Sequence, residues 1–189
     1  MPTTETLLLL AVIGLCSGVV GGIGGPGGIP VIVSLNLLLV LSSPVVAATT
    51  SSIFVVATVT ATALYRYSDG IEWGLAVLVG VGSLLVGVVA GITGIGGPAL
   101  TVPLLLVVGM APITAIGAGL ASGVLITVAA ALGHAVQGNP PALLPAIVVG
   151  VPYVCAQVVG WKYVHAVSER TVAYSIAGVA FLGVVGVLL

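Results

Sequence analysis

The chain has 189 residues, 60% of them hydrophobic, with three Lys or Arg, four Asp or Glu and a net charge of −1. Soluble domains carry charge on about a quarter of their residues; at 4% water cannot solvate the surface, so lipid must be the solvent. The composition excludes a soluble globular domain, and so small a net charge gives no hold on nucleic acid.

The fold class expected is an all-α integral membrane protein. A membrane β-barrel alternates apolar and polar residues, whereas runs such as 75–89 are apolar or glycine almost throughout. The first six residues, Met-Pro-Thr-Thr-Glu-Thr, lack the positive start of a secretory signal. The first apolar segment is therefore expected to stay in the mature protein.

Polar breaks divide the chain into about eight apolar segments, at 6–24, 28–41, 44–65, 74–93, 97–109, 112–135, 142–161 and 171–189. Six are long enough to span a hydrocarbon core, which takes roughly 20 helical residues. The second and fifth are short. Each directly follows a glycine block. The run at 18–28 reads GVVGGIGGPGG and the run at 87–97 reads GVVAGITGIGG, identical at eight of eleven aligned positions. With a one-residue slip the likeness continues, Pro44 aligning with Pro112, Ala47 with Ala115 and Gly70 with Gly138. The expected organisation is one transmembrane domain over 1–189: repeat 1 at about 6–70, repeat 2 at about 74–138, and two further helices at about 142–189.

Three segments per repeat is an odd number, so the second copy is expected to lie inverted in the membrane. If all eight segments cross, Arg66, Lys162 and Arg170 share one side, which the preference of basic residues makes the cytoplasm. If the short segments are re-entrant, Arg66 lies opposite the other two.

A helix can stop inside a bilayer only where its freed backbone groups find partners or line a cavity. Gly24, Gly25, Gly27 and Gly28 in one block, and Gly94, Gly96 and Gly97 in the other, permit such a break. Pro30, Pro98 and Pro103 are expected to shape the fresh helix starts that follow. A helix start presents free N–H groups and a positive dipole end. Two inverted copies would bring two such ends toward the midplane, making an anion site without a buried cation. Paired, Gly/Pro-interrupted short segments are a pointer to the binding site of a secondary transporter. The competing reading is that the glycines serve close helix packing.

The substrate-binding candidates are therefore Gly25, Gly27, Gly28, Gly94, Gly96 and Gly97, with Thr49, Thr50 and Ser51 from the densest hydroxyl cluster in the chain. Ser122 and Gln157 are further candidate polar contacts. Residues 22–27 fit the dinucleotide pattern G-x-G-x-x-G, but no acidic residue follows before Asp69, and the preceding run is helix-length. No nucleotide, metal or other cofactor is expected. No catalytic constellation lies within the segments, so an enzyme is not expected. Cys16 and Cys155 are expected to be small buried residues. His134 and His165 lie near segment ends, and Tyr65, Tyr67, Trp73, Trp161 and Tyr163 read as an interfacial aromatic belt.

These residues resemble the sulfite exporter TauE/SafE family of membrane transporters. The resemblance rests on 18–28 followed by Pro30, on 87–97 followed by Pro103, on Asp69-Gly-Ile-Glu-Trp73, and on Ala156-Gln-Val-Val-Gly160. It implies secondary transport of a small sulfur-containing or organic anion across the cytoplasmic membrane. The family has extra helices between its two glycine blocks and a triple glycine in each. Here Trp73 leads straight into the second block, Pro26 interrupts the first triplet, and Pro98 stands in the second. A homodimer could supply the wall those helices would form.

Overall fold

The computed structural model describes residues 2–24, 27–67, 71–83, 87–88 and 97–188. Eight helices and no strand occur among the described residues: α1 (Thr4–Gly22), α2 (Gly28–Leu38), α3 (Ser43–Tyr67), α4 (Trp73–Gly82), α5 (Pro98–Val107), α6 (Pro112–Val136), α7 (Leu143–Ala166) and α8 (Glu169–Leu188). Among them α1, α3, α6 and α7 are long and apolar enough to cross a membrane. That is four where six were expected; the fourth segment is described only over its first part. The outside of the bundle is aliphatic, with Leu8, Val12, Leu37, Val77, Leu125, Val136 and Leu144 all exposed. Such a surface is at home in hydrocarbon.

Local chemistry sets the ends of α1. Thr3 caps its start, accepting a hydrogen bond from the Thr6 amide at 3.2 Å, and Glu5 favours the positive end of the helix. The helix closes at Gly24, whose φ of +82° is open to glycine. There the Ile23 amide bonds the Val19 carbonyl, and the Gly24 amide bonds that of Gly21.

Glycines then fix which helix α1 meets. Gly14, Gly18 and Gly22 recur every fourth residue, on one face. Each abuts the backbone of α7, at Val149, Tyr153 and Gln157 in turn. A β-carbon on Gly14 would stand 2.5 Å from the Val149 carbonyl oxygen, and one on Gly18 or Gly22 would collide with the Tyr153 or Gln157 carbonyl. Without side chains in the seam the backbones approach closely, the small-residue packing that holds helices together in lipid. The contacts ascend together in sequence, so α1 and α7 run in the same direction.

Helix α3 shares that direction. Thr49 bonds the Ala142 amide at the start of α7, the Phe54 and Tyr153 rings meet edge to face at 5.6 Å, and Tyr65 meets His165 near its end at 5.7 Å. Helix α6 runs the opposite way. Thr58 pairs with Thr127 at 3.2 Å, while Ser43 and Pro44, at the start of α3, share a cleft with His134 and Gln137, at the end of α6.

The two short helices begin partway along these rods. Gly27, the N-cap of α2, lies against Ser17, Gly21 and the Tyr153 hydroxyl. From there α2 runs back along α1, burying Val31, Leu35 and Leu39 in one apolar cluster with Leu10, Val46 and Val149. Eleven residues of helix cover about 16 Å, roughly half the hydrocarbon thickness. At the start of α5, Gly97 abuts Ile126, Pro98 abuts Gly123, and Val102 then meets Gly119. Helix α5 therefore runs against α6 from its middle. Tyr153 and Gly123 both sit near the midpoints of their helices, so α2 and α5 both start at mid-depth. They leave toward opposite ends of the bundle.

Three expectations are corrected here. Pro98 occupies the first turn of α5, and Pro103 lies inside that helix, so it does not shape its start. Cys16 and Cys155 are free and exposed, on the outside of the bundle and not in its core. Tyr65 does not belong to an interfacial belt: it is fully buried, and its hydroxyl donates to the Gly22 carbonyl at 2.9 Å. That carbonyl belongs to the last turn of α1, where no intrahelical donor is left to satisfy it.

Candidate functional site

The first helix break lies in the heart of the bundle, framed by α1, α3 and α7. Gly27 is its floor. A β-carbon there would collide with the Ser17 carbonyl and stand 2.9 Å from the Tyr153 hydroxyl; one on Gly21 would meet the same hydroxyl. The first turn of α2 has no side-chain cap. Its opening residues Gly27, Gly28 and Ile29 each carry an N–H, whereas Pro30, also in the first turn, has none.

Three polar side chains surround this break without hydrogen-bond partners. Ser17, Tyr153 and Gln157 are 1%, 4% and 2% exposed. Ser17 Oγ and Gln157 Oε1 are fully enclosed and unpartnered, and the Tyr153 hydroxyl makes no hydrogen bond although it points at the N-cap of α2. Leaving a buried polar group unpaired costs roughly 1–3 kcal/mol. The energetics therefore favour an occupant that supplies the missing bonds.

The hydroxyl cluster of α3 divides. Thr49 Oγ1 donates to the Val45 carbonyl at 2.7 Å and accepts the Ala142 amide at 2.9 Å. Thr50 donates to the Val46 carbonyl at 3.0 Å, and Ser52 to that of Ala48. A hydroxyl has one proton, so Thr49 and Thr50 have none to offer a ligand in this arrangement. Thr49 instead ties the first turn of α3 to the start of α7. Ser51 is buried and makes no hydrogen bond. It shares a face of α3 with Phe54 and Thr58, which meet Tyr153 and Thr127. Ser122 is buried on α6 and donates to the Gly119 carbonyl.

At the second break Gly97 is the N-cap of α5, again without a side-chain cap, and Thr101 bonds its carbonyl at 3.0 Å. Its missing β-carbon would stand 2.8 Å from Ile126. Gly25, Gly94 and Gly96 lie outside the described residues. Beside this break a cleft of about 700 Å³ runs from Ile126 down the end of α6, with Ser43, Ser83, His134 and Gln137 as its polar lining.

Among the described residues, no Lys, Arg, Asp or Glu lies at either break. The chain's three basic residues sit at helix ends: Arg66 in the last turn of α3, Lys162 near the end of α7, and Arg170 at the start of α8. Positive potential at mid-depth comes from the starts of α2 and α5. The structure thus sets Gly27 beside Ser17, Gly21 and the Tyr153 hydroxyl at one break, with Gln157 against Gly22, and Gly97 and Pro98 at the other. Sequence reasoning missed Ser17 and Tyr153. Tyr153 precedes Gln157 by one helical turn, and Ser17 directly precedes the first glycine block, so spacing carried a signal for both. Comparison with protein-family models, curated proteins and solved structures returns no match.

Proposed function

We propose that the protein is a small secondary transporter that carries a small anion across the cytoplasmic membrane. The observation that carries this reading is the pair of half-length helices, α2 and α5, that start at mid-depth and run to opposite ends. Helix starts of this kind, fed by duplicated glycine blocks, are how inverted-repeat transporters present amides to an anionic substrate. Repeat 1 then comprises α1, α2 and α3, and repeat 2 α4, α5 and α6. The Thr58–Thr127 hydrogen bond supports the inversion. The bond joins α3 and α6, which run in opposed directions.

Tyr65 and His165 place the ends of α3 and α7 together, so Arg66, Lys162 and Arg170 share one end. By the positive-inside preference that end faces the cytoplasm. A sulfite-like oxyanion or an organosulfonate is the substrate class the TauE/SafE resemblance favours. With no acidic residue between Glu5 and Asp69 or between Glu72 and Glu169, the anion gradient and membrane potential suffice as the driving force.

A second reading also has an observation behind it. Gly14, Gly18 and Gly22 are consumed in the α1–α7 seam, as a non-transporting scaffold subunit would use them. Packing does not account for the unpartnered Ser17, Tyr153 and Gln157. The test is sulfite flux from proteoliposomes holding the purified chain, against empty liposomes and Gly97→Leu. Saturable flux that is lost in a folded Gly97→Leu protein supports transport. Flux no greater than in empty liposomes, with Gly97→Leu failing only to assemble, favours the scaffold.

A further inference from the structure

The polar groups at the first break form a pattern that the anion reading alone does not require. Tyr153, Gln157 and Trp161 recur at four-residue spacing, so they stand above one another on a single face of α7. That face meets α1, with Tyr153 beside Gly18 and Gly21 and Gln157 beside Gly22. Gln157 Oε1 and Trp161 Nε1 are enclosed without partners, as is Ser17 Oγ on α1, and the Tyr153 hydroxyl points at the uncapped start of α2. In the sequence Val86 aligns with Ser17, and α7 belongs to neither repeat.

Donors dominate this set. Tyr153, Ser17, Trp161, the Gln157 amide nitrogen and the first amides of α2 all offer hydrogens, as an oxyanion needs. One strong acceptor stands among them, Gln157 Oε1. A fully ionised oxyanion has no hydrogen for it and would leave it unpaired. An oxyanion that keeps one hydroxyl can donate it to Gln157 Oε1 while accepting from the donors beside the break.

Resting on the transport reading, we infer that Ser17, Tyr153 and Gln157, with the N-terminal amides of α2, form a recognition site for a singly protonated small oxyanion. The site selects the hydroxyl through Gln157, and Trp161 stands one turn beyond Gln157 as a nearby reporter.

The chain contains two tryptophans, so Trp73→Phe leaves Trp161 as the sole reporter. Trp73 is half exposed at the start of α4, away from the site. The experiment titrates this full-length variant in nanodiscs with hydrogen sulfite and with methanesulfonate, which has no hydroxyl, and follows Trp161 fluorescence. Hydrogen sulfite is expected to give a saturable change, with methanesulfonate about tenfold weaker. Hydrogen sulfite binding should fall as rising pH removes the probe's own proton. Methanesulfonate binding over the same range reports any titration of the nearby Tyr65, Tyr153 or His165. Tyr153→Phe and Gln157→Leu should each weaken hydrogen sulfite about tenfold or more. Tyr153→Phe should keep its melting temperature, because the hydroxyl it loses has no partner; a purely structural tyrosine would lower it.

A flat titration overturns the site, as does equal binding of the two probes with Gln157→Leu unaffected. Sulfite flux in the same preparations separates the two levels. Saturable flux with unchanged KM in both variants removes this site and leaves the transporter reading standing. Absence of both binding and saturable flux removes both.

Discussion

Glycine does two different jobs along α1, and the distinction is made atom by atom. Gly14, Gly18 and Gly22 face the α7 backbone, where any side chain would meet a carbonyl. Gly24 instead supplies a left-handed turn, and Gly27 leaves room beneath the Tyr153 hydroxyl. Gly18→Leu should therefore act on stability. Forcing a branched side chain against the Tyr153 carbonyl separates α1 from α7, at a cost of about 1–3 kcal/mol or more for overpacking. Thermal melting in detergent should show a drop of several degrees, and size-exclusion profiles should broaden. An unchanged melting temperature would remove the seam from the account. Tyr65 is a comparable lesson. Its place near a segment end marks an interfacial ring on sequence grounds, yet its hydroxyl caps the Gly22 carbonyl from full burial. Nothing in the local sequence announces a partner 43 residues away.

At the scale of helices, much was legible because lipid leaves the chain few choices. An unbroken apolar run must satisfy its own backbone, so segments 112–135 and 142–161 read directly as α6 and α7. The short segments after the glycine blocks read as α2 and α5 for the same reason. What could not be read was partner choice. Thr49, Thr50 and Ser51 form the densest hydroxyl cluster and attract attention as ligands, but two of them return their protons to the α3 backbone. The unpartnered polar groups lie on α7 and α1, far apart in sequence and joined only by the glycine seam. The α3–α6 crossing offers a direct test of how equivalent helices meet. A double-mutant cycle of Thr58→Val and Thr127→Val should return a coupling of about 0.5–1 kcal/mol in melting experiments, typical of an interhelical hydrogen bond in lipid. Strict additivity would mean that the hydroxyls bond their own helices and ignore each other.

For the whole molecule, the central claim is that two halves of opposite orientation meet at mid-depth, each contributing a helix that starts there. This remains our proposal, and its support is the shared direction of α1, α3 and α7, the opposed direction of α6, and the positions of Gly27 and Gly97. Inversion makes the exits of the two repeats emerge on different faces of the membrane; repeats of like orientation would bring both exits to the same face. Tyr67 at the end of α3 and Gln137 just past the end of α6 are both exposed and mark those exits. The most direct measurement is the sidedness of single cysteines at these two positions. It uses a background with Cys16 and Cys155 replaced by serine, labelled in intact cells with a membrane-impermeant maleimide. The account predicts labelling of Gln137→Cys from outside, and of Tyr67→Cys only after the membrane is opened. Labelling of both from the same face would contradict it.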